Sequence, residues 1–87
     1  MTVVIISTCK YKLSEEEFVR PIADIVKNEY EIEVRSYKDS FIPNCKNVII
    51  SGTALKDFEY LSYLRNFEWI KSFNGKILGI CAGAQII

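Results

Sequence analysis

Histidine is absent from the 87-residue chain. Without it, no Cys-His or Ser-His catalytic pair and no His-containing metal site forms within this chain alone. Charge of one sign is also lacking. Eleven Lys and Arg offset eleven Asp and Glu, which removes any overall electrostatic bias toward nucleic acid or an anionic membrane. Long apolar runs are missing: Val3–Ile6 and Ile77–Ala82 fall far short of the roughly 18–20 residues that span a bilayer. No basic-then-apolar leader opens the chain. Cysteine is sparse and odd in number. Cys9, Cys45 and Cys81 leave one thiol unpaired in a monomer and form no CxxC, a pattern that favours a reducing, cytoplasmic setting. The three are equally spaced, but their flanks (Thr-Cys-Lys, Asn-Cys-Lys, Ile-Cys-Ala) share too little for a repeat. Neither a phosphate-binding glycine loop nor G-x-G-x-x-G occurs, so no cofactor is expected.

What is present is ordinary globular composition, 49% hydrophobic and 25% charged, in a pattern that alternates strands with helices. Thr2 to Ser7 is a β-branched run that reads as a strand buried on both faces. Ser14 with Glu17 has the spacing of a capping box at the head of a helix, and Phe18, Ile22, Ile25 and Val26 give that helix an apolar face. Pro21 predicts a kink in it, or a start nearer Arg20. Glu31 to Tyr37 alternates polar and apolar residues, as an edge strand does, and Ser40 to Lys46 reads as a loop. Asn47 to Gly52 is a further buried strand ending in a glycine turn. From Leu55 to Phe73 the chain reads as one broken helix or two short ones. Phe58, Leu61, Leu64, Phe67 and Ile70 recur every three residues as its expected core face. Tyr60, Tyr63 and Trp69 lie off that face. Asn74-Gly75 is the stop signal, with Gly75 able to take the left-handed conformation at a helix end. Lys76 to Ile80 is a last strand, expected to lie centrally, followed by the first turn of a helix. This order predicts an α/β fold with a parallel sheet and right-handed crossovers. A helix that ends at Ile87 is too short to cover a central strand, so residues 1–87 read as the N-terminal portion of one larger domain.

The segment Gly79-Ile80-Cys81-Ala82-Gly83-Ala84-Gln85 concentrates the chemistry. It sets a nucleophile-capable side chain between two glycines where a strand turns into a helix, the arrangement of a nucleophile elbow. Gly79 and Gly83 are expected to be side-chain-free because backbone passes close to them. A sulfur at a helix N-terminus faces free N–H groups that stabilise negative charge. Ligands of parallel sheets bind at the carboxyl ends of the strands, so the small-residue loop Ser51-Gly52-Thr53-Ala54 is expected to face Cys81. The plain alternative is a buried cysteine in a glycine-containing turn.

These seven residues resemble the G-x-C-x-G-x-Q signature of the triad, or class I, glutamine amidotransferases. The order of elements resembles the N-terminal half of that family's domain over essentially all 87 residues. The resemblance implies a flavodoxin-like, doubly wound parallel sheet, incomplete here, and glutamine as the small-molecule substrate. It implies hydrolysis of the glutamine side-chain amide through a Cys81 thioester, with ammonia passed to an acceptor held by a synthetase domain or subunit. By the same resemblance the N–H of Ala82 is one oxyanion donor, Thr53 the other with Gly52 as its fallback, and Gln85 helps to hold the substrate's amino-acid end. No metal ligand, nucleic acid or membrane is implied. Two departures stand out. The family's loop carries a second Gly followed by Pro where this chain has Thr53-Ala54, so donation by Thr53 requires a negative φ. The family's His and acidic partner lie beyond the cysteine, outside these residues. The chain alone is therefore expected to be a poor glutaminase.

Two other classes of function compete. One is a cysteine-elbow α/β domain for redox sensing or protein quality control, in which the thiol is oxidised or inert. The other is a non-catalytic regulatory or assembly subunit. Gln85 favours the amidotransferase reading, because an oxidation sensor has no evident need of a carboxamide there. Lys10, Tyr11 and Lys12 read as a solvated loop, and Glu15 to Glu17 as first-turn helix charge. If Tyr60, Tyr63 and Trp69 are exposed, they are the candidates for contact with a synthetase domain or second subunit.

Overall fold

The β-branched run at the N-terminus becomes the axis of the molecule. A computed structural model describes residues 1–87 and contains a four-stranded, all-parallel sheet with helices, a mixed α/β fold. Strand β1 (Thr2–Ser7) pairs on one side with β2 (Glu31–Ser36) and on the other with β3 (Asn47–Ile50), which pairs with β4 (Lys76–Gly79); the spatial order is β2-β1-β3-β4. β1 is buried from Val3 to Ser7, as its continuous apolar run predicts. β2 lies at the edge, as its alternation predicts. β4 is the other edge strand rather than a central one, and Leu78 stands exposed on it.

The pleat sorts the side chains into two cores. Val3 and Ile5, in register with Ile32 and Ile49, face the helical pair α1 (Lys12–Phe18) and α2 (Arg20–Val26), where Val19, Ile22, Ala23 and Val26 meet them. Val4, Ile6, Val48 and Ile50 face the other way, onto Tyr37, Tyr60, Phe67 and Trp69. Pro21 does break the helix: α1 ends at Phe18 and α2 starts at Arg20, with the proline in its first turn where no backbone donor is needed. The expected capping box does not form. Tyr11 is the N-cap, extended at φ −104° and ψ 142°, and Ser14 lies inside α1. The backbone N–H of Lys10 is fixed to Asp57 at 2.7 Å, which sets the helix entry before Ser14 is reached. Ile25 is exposed rather than part of the apolar face. The stripe runs through 19, 22, 23 and 26, and position 25 falls to its side.

The aromatic segment corrects the sequence reading most. Glu59–Ser72 is 3-10 helix, broken at Tyr63 by non-helical backbone (φ −119°, ψ 21°). Phe58, Leu61 and Leu64, expected in the core, are 62%, 50% and 46% exposed, whereas Tyr60 and Trp69 are 5% and 8% exposed. At three residues per turn every third side chain forms a straight row, and the segment has two such rows. Of the expected row, Phe67 is also buried and Ile70 packs against the same core, while the row 60, 63, 66 and 69 faces inward because its aromatics bury more area. Its polar member, Asn66, is satisfied by donating to the Tyr37 carbonyl at 2.9 Å. Tyr60 and Trp69 are thus core residues and not a partner surface. Gly75 is not left-handed either, since no glycine has positive φ. A Cβ at Gly75 would lie 2.2 Å from the Lys46 carbonyl oxygen, so close backbone approach is what requires glycine there. No helix is long and apolar enough to cross a membrane.

Candidate active site

The site forms where β4 gives way to α3 (Ala82–Ile86). Ile80 continues the ladder one step, its N–H donating to the Ile50 carbonyl at 3.0 Å. The chain then reverses. Gly83 N–H donates back to the Ile80 carbonyl at 2.9 Å, and the Cys81 carbonyl accepts from Ala84 (2.9 Å) and Gln85 (3.2 Å). Cys81 at the turn has φ 52° and ψ −110°, the only positive φ outside glycine in the chain. A side chain in that region costs on the order of 1–3 kcal/mol, and the surroundings hold it there. Gly83 is pressed against β3 so closely that a Cβ would lie 2.1 Å from the Ile50 carbonyl oxygen. A Cβ on Gly79 would lie 2.6 Å from the Gly83 carbonyl oxygen. Both elbow glycines are explained by close backbone approach, as the sequence predicts. The cysteine side chain is left exposed to solvent.

The loop after β3 does face this elbow. A Cβ on Gly52 would sit 3.0 Å from the Cys81 Cβ and 3.7 Å from its Sγ, so glycine at 52 keeps the space beside the thiol open. Thr53, Cys81, Ala82 and Gln85 line one cleft of about 360 Å³ together with Leu55, Phe58 and Tyr60. The φ of Thr53 is not positive, so its amide meets the condition for donation. The N–H groups of Gly52, Thr53 and Ala82 take part in no hydrogen bond within the chain. Free amides beside an exposed thiol can stabilise an oxyanion built on a carbonyl that the sulfur attacks.

Behind this loop lies a buried polar layer that the sequence does not announce. Thr8 N–H donates to the Ser51 hydroxyl at 3.2 Å, and the Thr8 hydroxyl donates to the Ser51 carbonyl at 2.9 Å. The Ser51 hydroxyl in turn donates to the Gly52 carbonyl at 3.0 Å. Cys9 is buried, and its thiol donates to the same Gly52 carbonyl at 3.5 Å; burial pushes that thiol's pKa up. Asp57, 5% exposed, accepts Lys10 N–H at 2.7 Å and the Thr53 hydroxyl at 2.9 Å. Lys10 Nζ pairs with Glu59 at 3.2 Å. The available signal was two hydroxyl residues, Ser7 and Thr8, closing the apolar run of β1. Asp57 had no signal beyond being an acid near the loop. The apolar depression between α2 and β4, about 270 Å³ and lined by Val26, Tyr30, Ile49 and Leu78 among others, contains no cysteine, serine or threonine. Compared with protein-family models, with curated proteins and with solved structures, the chain finds no match.

Proposed function

We propose that the chain is the nucleophile-bearing half of a flavodoxin-like glutamine amidotransferase domain. The observation that carries this reading is the backbone of Cys81. A cysteine is held at φ 52°, ψ −110° with its side chain exposed and free amides on both sides, an arrangement that packing alone does not require. The resemblance of Gly79-x-Cys81-x-Gly83-x-Gln85 supplies the substrate class. In the proposed reaction the Cys81 sulfur adds to the glutamine side-chain carbonyl carbon, and the carbonyl electron pair moves to oxygen, held by the amides of Ala82 and Thr53. Collapse breaks the C–N bond, and nitrogen leaves as ammonia with a proton from a general acid. Water then cleaves the thioester to glutamate and the free thiol. The 87 residues hold no histidine, so the acid and base come from another segment or chain in a cytoplasmic assembly, with a synthetase domain or subunit consuming the ammonia.

A glutamine analogue bearing a chloroketone in place of the carboxamide tests this without the missing base. The thiol displaces chloride, so the protein gains one analogue at Cys81. Labelling is expected to saturate, to prefer the L isomer and to be blocked by L-glutamine, while buried Cys9 is spared. Ammonia release from glutamine is expected to stay at background. Labelling that glutamine does not compete with, and that shows no preference between isomers, overturns the proposal.

A further inference from the structure

We infer that Asp57 is the positioning residue of this site, its carboxylate clamping the Gly52–Thr53 turn against the Cys81 elbow. The inference rests on the reading of Cys81 and this loop as one site. The loop lacks the stiffness that a glycine-proline pair would give, having Thr53-Ala54 instead. Its conformation is fixed from outside. Two bonds converge on Asp57 Oδ2: the Thr53 hydroxyl at 2.9 Å from the loop itself, and Lys10 N–H at 2.7 Å from the end of β1. Asp57 N–H donates to the Ala54 carbonyl at 2.9 Å, closing the turn from the other side. Its Oδ1 takes only a weak 3.4 Å contact from Glu59 N–H at the start of the 3-10 helix. One buried carboxylate therefore joins three pieces of chain at the cleft wall, and Thr53 is the piece that lines the cleft. Charge-assisted bonds of this length are about twice as strong as neutral ones.

Three variants separate positioning from general support. Asp57→Ala removes the clamp. Thr53→Val keeps the side chain's size and branching but loses its bond to the clamp. Asp57→Asn keeps an acceptor oxygen where the two strong bonds meet, and gives up their charge assistance and the 3.4 Å contact. Two readouts are needed. The first is the nuclear Overhauser contact between Gly52 Hα and Cys81 Hβ in the full chain. The second is the ratio of Cys81 labelling rates with the glutamine chloroketone and with iodoacetamide. Wild type and Asp57→Asn are expected to keep both. Thr53→Val and Asp57→Ala are expected to lose the contact, and the ratio is expected to fall roughly tenfold or more with the iodoacetamide rate unchanged. Persistence of the contact in Thr53→Val overturns the clamp, whether or not Asp57→Ala folds. So does a fall of both labelling rates together in Thr53→Val. If the contact behaves as expected but wild type shows no preference for the glutamine analogue, the clamp stands and the amidotransferase proposal falls.

Discussion

Cys81 carries a conflict between stability and chemistry that one substitution can measure. Its φ of 52° with ψ −110° belongs to a region that glycine enters freely and other residues enter at a cost of about 1–3 kcal/mol. The side chain is exposed, so deleting it removes no core packing. Cys81→Gly relieves the strain and gives back roughly 0.5–1 kcal/mol through the freer unfolded chain. The net expectation is stabilisation of about 1 kcal/mol with loss of all labelling at the elbow, read from urea unfolding beside Cys81→Ala, which keeps the strain. A Cys81→Gly variant no more stable than Cys81→Ala would mean that the elbow is unstrained. This site was partly legible in the sequence. Glycines two residues either side of a cysteine at a strand-helix junction announce close backbone approach, and the Ile50 and Gly83 carbonyls provide it. The clamp was not legible, because Thr53 and Asp57 acquire their roles only when the end of β1 brings Lys10 beside them.

At the scale of elements, strands were easier to read than helices. β1 and β3 follow from unbroken apolar runs, and β2 from its alternation, because a strand's pattern is written in consecutive residues. The aromatic segment was read correctly only at Phe67 and Ile70, because it contains two rows at a spacing of three, and polar Asn66 hides the one to which Tyr60 and Trp69 belong. The position of β4 depended on which neighbours the sheet contains, and no local pattern encodes that. The corrected face makes a sharp prediction. Trp69→Ala removes a core side chain packed edge-on against Phe73 with ring centroids 5.3 Å apart and is expected to cost about 3–5 kcal/mol. A core of this size supplies only about 3–5 kcal/mol in total, so the variant should be largely unfolded by circular dichroism. Leu61→Ala, on the outer row, should change stability by no more than about 0.5 kcal/mol. Comparable losses in the two variants would contradict the assignment of faces.

For the molecule as a whole, Tyr37, Cys9 and Lys10 make stability sensitive to pH on the alkaline side. Tyr37, 1% exposed, has its phenol pushed up to about 12, first by burial and then by the charges of Glu59 and Asp57. Cys9 is raised by burial, and Lys10 is raised by its hydrogen bond to Glu59. In each case the folded state holds its proton more tightly than the unfolded chain does. The stability linked to these protons is intact below the unfolded values and is lost as pH climbs, since the unfolded chain gives its protons up first. For Tyr37 the loss starts near the ordinary phenol value of 10.0 and is complete at about 12. The Tyr37 hydroxyl also lacks any hydrogen-bond partner despite its burial, and burying such a group costs about 1–3 kcal/mol. Tyr37→Phe is therefore expected to be more stable than wild type by about 1 kcal/mol at neutral pH. Its advantage should grow between pH 10 and 12, because the variant has no phenol to ionise. Urea unfolding midpoints across pH 7–12 give both comparisons in one series. Parallel pH profiles for variant and wild type would show that the phenol titrates alike in the folded and unfolded chains, and a less stable variant at neutral pH would show that its hydroxyl does find a partner.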